Sequence, residues 1–248
     1  MLKAYFIMES YTKTIIVNKK LTFNSGLSWL RNAFVVFREQ PLQFMLLDFF
    51  SIIFSFLPLI GSLLQPIFSG RFLVLTNNIN VRKPIFIRDI FAGLFSHPNL
   101  MKLSFINFLL NVSLLIANYI FKVNSANIFN VLLFTMLPTL IIAMLIWFSP
   151  ALCIFDDLEP FSAMNLSFKG VSSNLFAMLI FSIIISAISI LVLGPFLFLS
   201  YLTWSYTHNI LFIVPIILLG LIFWVIWGSI LNIAVYFSYK DLFILINK

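Results

Sequence analysis

Two ionisable side chains stand inside long apolar runs, and theirs is the chemistry that most needs explaining. Asp48 lies within LQFMLLDFFSIIFSFL and Arg71 within SLLQPIFSGRFLVL, and the two runs fold back at Pro58-Leu59-Ile60-Gly61. Reflected about that turn, position 48 falls opposite position 71. A lone charge at the centre of a bilayer-spanning helix costs about 2.5–3.5 kcal/mol on insertion scales. Opposite charges at one depth offset that cost by pairing. The spacing therefore predicts a buried ion pair, Asp48 with Arg71, inside a transmembrane hairpin. Such a pair has two uses. It can clamp the hairpin, or it can form a polar site in which Arg71 meets an anion or substrate and Asp48 orients it. Asn77 and Asn78 follow on the same run.

Other chemistry-bearing residues are few. Asp156, Asp157 and Glu159 offer the oxygen donors a divalent cation takes, but they immediately precede Pro160, where a helix would begin and where acids suit its dipole. The helix-start reading is the stronger, and no metal is expected. His97 and His208 are predicted on opposite sides of the bilayer and so cannot share a centre. The chain has no G-x-S-x-G element, no Walker A loop and no G-x-G-x-x-G. The single cysteine, Cys153, excludes an intramolecular disulfide and a thiolate cluster. These residues imply no enzyme and no cofactor.

Composition says where such residues must sit. The chain of 248 residues is 62% hydrophobic and only 9% charged, with mean hydropathy +1.09, against roughly 25% charged in soluble domains. That balance cannot cover a water-soluble globule, so the class is all-α and polytopic in the membrane. The net charge of +7 comes from Lys and Arg flanking the apolar runs, which is the positive-inside pattern rather than a nucleic-acid signal. The 31 Phe suit lipid-facing and packing positions.

The apolar runs predict six transmembrane helices as three hairpins, at about 42–79, 103–148 and 175–234, within one domain spanning 25–243. The second run is the least apolar, with Gln65, Pro66, Ser69, Gly70, Arg71, Thr76 and Asn77, so it should face protein rather than lipid. Pro138 should kink the fourth run, Ser149-Pro150 should end it, and Gly194-Pro195 should end the fifth. Tyr201, Trp204 and Tyr206 read as an aromatic belt at the far interface. Ahead of each hairpin stands an amphipathic pattern that suits an interfacial helix. The first is striped by Leu27, Leu30, Phe34 and Phe37, with Trp29 and Ala33; the second by Ile87, Ile90, Phe91, Leu94 and Phe95; the third by Phe161, Met164, Phe168 and Val171. Together they read as a threefold repeat.

Residues 1–24 form a basic tail with Lys3, Lys13, Lys19 and Lys20 against Glu9, and with a short strand at Thr14–Val17. The tail lacks the apolar core and cleavage site of a signal peptide. It suits anionic lipid headgroups or plain solvation. Residues 244–248 form a second short tail. Of the fifteen Lys and Arg, Lys122 lies in an opposite-side turn and Arg71 within a span. The other thirteen fall on one side, which the positive-inside rule makes cytoplasmic for both termini.

Four motifs stand in fixed order: Gly26-Leu27-Ser28-Trp29, Phe37-Arg38-Glu39-Gln40-Pro41, Trp147-Phe148-Ser149-Pro150, and Ser238-Tyr239-Lys240-Asp241-Leu242-Phe243. Their order and spacing resemble those of uncharacterised bacterial integral inner-membrane proteins of about this length, the conserved hypothetical membrane proteins. The resemblance covers Ser25 to Phe243. It departs at Lys240, where that family more typically shows Arg, and in the basic tail before Ser25. It implies a bacterial inner-membrane location and several spanning helices, and it implies no activity. Two functions follow as expectations. One is a non-enzymatic membrane scaffold, assembly or lipid-interacting protein. The other is a transporter or permease component with its polar site at Asp48 and Arg71.

Overall fold

The computed structural model describes residues 14–17, 21–83, 85–121 and 128–246. Most of the basic tail, Pro84, the turn at 122–127 with its Lys122, and the last two residues lie outside the described residues. Among the described residues the regular structure is helical apart from one strand pair. Strand β1 is Thr14–Val17, and helices α1 (Phe23–Glu39), α2 (Pro41–Ser55) and α3 (Pro58–Asn80) follow. A 3-10 turn at Ile87–Ile90 leads to α4 (Pro98–Ile120). Next come α5 (Ile128–Val131), a π turn at Leu132–Met136, α6 (Leu137–Ile146) and α7 (Ser149–Phe155). The chain closes with α8 (Pro160–Ser173), α9 (Leu175–Thr207), α10 (Ile210–Leu242) and strand β2 (Phe243–Ile246). Buried side chains from α1 to the start of β2 form one continuous core.

Among the described residues, five helical segments are long and apolar enough to cross a membrane: Leu59–Asn80, Pro98–Ile120, Phe129–Phe155, Leu175–Tyr206 and Leu211–Leu242. Six runs were expected, and the first of them falls short of that length. The first apolar run forms a helix of only 15 residues, about 22 Å long at ~1.5 Å per residue, below a hydrocarbon core of ~30 Å. Pro41 and Pro58 cut it at both ends. Each occupies the opening turn of its helix, where a missing N–H costs nothing.

Prolines inside the other runs do not terminate them. Gly194-Pro195 lies within α9, an unbroken helix of 33 residues, so the expected break is absent. Fifty ångströms is about the length of such a helix, and Tyr201, Trp204 and Tyr206 stand exposed near its far end. Helices bear an interior proline where nearby groups take up the freed carbonyl. In the fourth run Pro138 does distort the path: the π turn immediately precedes it. Ser149-Pro150 begins α7 instead of closing the span, with Pro150 again in a first turn.

The interfacial elements differ more. No α-helix forms over 87–95, where only the 3-10 turn at Ile87–Ile90 is helical. Asp89 turns back to accept from the Phe86 N–H at 2.9 Å, and Gly93 takes φ +73°. That left-handed step is natural for glycine and incompatible with a continuing helix. Helices α1 and α8 do form, but with different buried stripes. Helix α1 buries Trp29, Ala33, Val36 and Phe37 against α9 and α10, and leaves Leu27 and Phe34 exposed. Helix α8 buries Ala163, Met164, Ser167, Gly170 and Val171, and turns Phe161 and Phe168 outward. Close packing selected the small residues, so an amphipathic helix precedes two of the three apolar hairpins.

The strand at Thr14–Val17 is present, and its partner is a surprise of the C-terminal segment. It pairs antiparallel with β2, in the register Thr14 with Ile246 through Val17 with Phe243. Both ends of the helical domain therefore meet at one face, here termed the near face. The quoted motifs converge there. Trp29 Nε1 donates to Asp241 Oδ2 at 2.6 Å, and the Phe148 and Phe243 rings meet edge to face at 5.4 Å. Tyr239 Oη donates to Asp156 at 2.5 Å and Tyr236 Oη to Asn77 at 2.8 Å.

Candidate functional site

Asp48 and Arg71 do not form an ion pair. Asp48 is buried, and its Oδ1 accepts from Asn232 Nδ2 of α10 at 3.1 Å. Arg71 Nε donates to the Ile90 carbonyl at 3.0 Å, at the end of the 3-10 turn. Reflection about a turn fixes the depth of two residues but not the faces they occupy. Helix α3 offers α2 the stacked Phe72, whose partner is Phe44 at 6.1 Å. Arg71 sits one residue back, about 100° around the helix, toward Gly93, Leu94 and Ile154. Asp48 in turn faces α10.

The Asp48 contact with α10 depends on Gly228. A Cβ at that position would stand 2.5 Å from Asp48 Oδ2, so only glycine lets the carboxylate approach. Asn232 sits one turn further along α10. Its amide donates to the Gly228 carbonyl at 3.0 Å as well as to Asp48, and this holds the carboxylate in place. Among the described residues, Asp48 Oδ2 has no hydrogen-bond partner.

On its other side Asn232 borders a half-open cavity of about 580 Å³ between the helices. The i, i+3, i+7 pattern Ser62, Gln65, Ser69 lines it from α3. Helix α4 contributes Asn107 and Asn111, and α6 contributes Thr139. Ser55 of α2 also lines it, and the remaining wall is mainly apolar, with Ile146, Phe181 and Ile185 among its members. Of the polar side chains of the second run, Thr76 is buried and Ser62 and Ser69 are half-buried, while Gln65 is exposed, so the expectation that the run faces protein holds in part. Its spanning window is 44% buried, against 11–22% for the other four, so α3 is the central helix.

Pro66 explains how the amide cluster arises. Proline lacks the N–H that would bond the carbonyl four residues back, which here belongs to Ser62. Asn107 Nδ2 takes that carbonyl at 2.6 Å and also reaches Gln65 Oε1 at 3.4 Å. Asn111 Nδ2 then donates to the Asn107 carbonyl at 2.8 Å and to Asn107 Oδ1 at 3.2 Å. Gln65, Asn111 and Asn232 all line the cavity, and these bonds do not engage the Gln65 amide nitrogen or the Asn111 and Asn232 side-chain oxygens.

Asp156 and Asp157 have structural partners. Asn99 Nδ2 donates to the Asp157 side chain at 3.2 Å, Asp156 accepts from Tyr239, and Glu159 precedes the first turn of α8. Among the described residues no three His, Cys, Asp or Glu side chains are grouped to hold a metal ion. His97 leads into α4 at the near face, and His208 ends α9 at the far one. Charge drew attention to Asp48 and Arg71, while uncharged residues line the cavity. The spacing of Asn107 and Asn111 in an apolar run was the available signal, because an amide in hydrocarbon also needs a partner.

The chain matches no family model, no curated protein and no solved structure.

Proposed function

We propose that this integral membrane protein is a transporter or permease component, with its solute site in the cavity between α3, α4, α6 and α10. The cavity itself carries this reading. Its volume of about 580 Å³ falls within the ~300–1,000 Å³ typical of small-molecule sites. Its amides and hydroxyls lie in helices that are otherwise apolar, and polar groups at such depth mark substrate paths. Asp48 forms the edge of the site through Asn232, and Arg71 belongs to the packing behind α3. No catalytic step is part of the proposal.

The topology proposed is six crossings with both termini cytoplasmic. The β1–β2 pair supports it, because chain ends that meet at one face require an even number of crossings. Helix α2 supplies the sixth, with Phe56, Leu57, Leu59 and Ile60 exposed to lipid at its turn. The basic residues on the near face support a cytoplasmic assignment, and the motif resemblance supports a bacterial inner membrane.

Water access tests the site. On a Cys153→Ala background, Ser69→Cys and Thr139→Cys are expected to react with a membrane-impermeant thiol reagent from at least one side, while Leu191→Cys does not. Unreactive cysteines at both cavity positions would remove the transport reading.

A scaffold or lipid-interacting role draws on a separate observation. Helix α1 exposes Leu27, Arg31, Phe34 and Arg38 on one face, with the Arg38 guanidinium 5.8 Å from the Phe34 ring centre. Apolar and cationic groups so mixed suit anionic headgroups. Vesicle-composition dependence of its fold, with no cavity reactivity, would favour this role.

A further inference from the structure

We infer that the cavity takes an uncharged amphiphile, with a hydrogen-bonding head and a short apolar tail. The inference rests on the solute-site reading and names the substrate class for it. Among the described residues, no Asp, Glu, Lys, Arg or His lines the cavity. Asp48 is screened from it by Asn232, and Arg71 lies on the reverse face of α3 with its Nε held by a carbonyl. An ion entering would lose its hydration and gain no counter-charge, a cost that grows steeply in a low-dielectric interior. A neutral head loses far less, because the spare amide donor of Gln65 and the spare oxygens of Asn111 and Asn232 replace its water.

The two kinds of wall are segregated apart from Thr139 of α6 and Asn232 of α10. Ser62, Gln65, Ser69, Asn107 and Asn111 occupy α3 and α4. The surfaces from α6, α9 and α10 are mainly aliphatic or aromatic, including Ile142, Ile146, Phe181, Ile185, Leu231 and Val235. A purely polar solute would leave that second wall unmatched, and a purely apolar one would strand the amides. Gln65 is itself exposed on a spanning helix, and bare lipid offers its amide no partner. A hydrogen-bonding head group satisfies it.

Three probes with one tail length separate the possibilities: 1-octanoylglycerol, octanoate and octyltrimethylammonium. A diazirine-bearing 1-octanoylglycerol is cross-linked to the full chain in lipid nanodiscs, and adducts are mapped by mass spectrometry. Saturable labelling of Ile146, Phe181 or Ile185 is expected. Excess 1-octanoylglycerol should remove it, and the two charged probes should compete at least about tenfold more weakly. Gln65→Leu, checked for folding by size-exclusion chromatography, should reduce labelling at the same positions. If octanoate or octyltrimethylammonium competes equally, the uncharged class is wrong and the site stands. If the cavity residues show no saturable labelling and no charged probe protects a cavity cysteine from thiol reagent, the solute-site reading itself falls.

Discussion

The side-chain amide of Asn107 occupies the Ser62 carbonyl that Pro66 leaves vacant, at 2.6 Å. One residue thus removes a main-chain donor from α3, and another on α4 restores it. The exchange joins two spanning helices and fixes the orientation of the polar wall.

Asn107→Leu should destabilise the bundle by about 1–2 kcal/mol, the range of interhelical hydrogen bonds in model membrane helices. Pro66→Ala returns the missing N–H, so its addition should recover part of that loss. Reversible unfolding in bicelles reads both effects. Equal costs for Asn107→Leu in the two backgrounds would show that the carbonyl is not the linkage.

Asp48→Ala and Arg71→Ala should act independently, because their partners are Asn232 and Ile90. Distant, unshared sites add within about 0.5 kcal/mol. A double-mutant cycle on unfolding free energy measures this directly. A larger favourable coupling would restore the ion pair that reflection about the turn suggests.

Gly228→Ala should be costly, since its Cβ would stand 2.5 Å from Asp48 Oδ2. Overpacking of this kind costs about 1–3 kcal/mol. Asp48→Ala opens the space, so the double variant should be more stable than Gly228→Ala alone. Thermal unfolding of purified protein ranks the three.

Trp29→Phe should cost about 1.5–3 kcal/mol, the range for a bond to a charged acceptor. It keeps an aromatic ring near Phe181, whose centre lies 5.1 Å from that of Trp29. Trp29→Ala should cost more, because the ring is buried. Protease sensitivity near the strand pair would follow the same order.

The helical class and the apolar segments were legible because hydropathy depends only on sequence spacing. Depth was legible too, as the near-face meeting of His97 with the chain ends and the far position of His208 illustrate. Azimuth was not. Leu27, Phe34, Phe161 and Phe168 look like buried stripe residues in an amphipathic pattern, yet lipid accepts them outward while Ala33, Ala163 and Gly170 permit closer packing. Gly194-Pro195 looks like a break because propensity is local, whereas neighbouring structure decides whether a proline ends a helix. Asn107, Asn111 and Asn232 were overlooked because they carry no charge, although each poses the same solvation problem as Asp48 on a smaller scale.

The strand pair has a consequence for biogenesis. Residues 14–17 leave the ribosome first among the described ones, and their partners 243–246 leave last. Helix α1 likewise has to wait for α10 and for Asp241 before Trp29 finds its acceptor. Until α9, α10 and β2 have been made, the buried face of α1 lacks the elements that cover it and needs the membrane surface or a chaperone as a temporary host. The near face is therefore a latch that closes only once residues 243–246 have emerged, and a chain cut short before β2 would insert its helices yet remain unlatched.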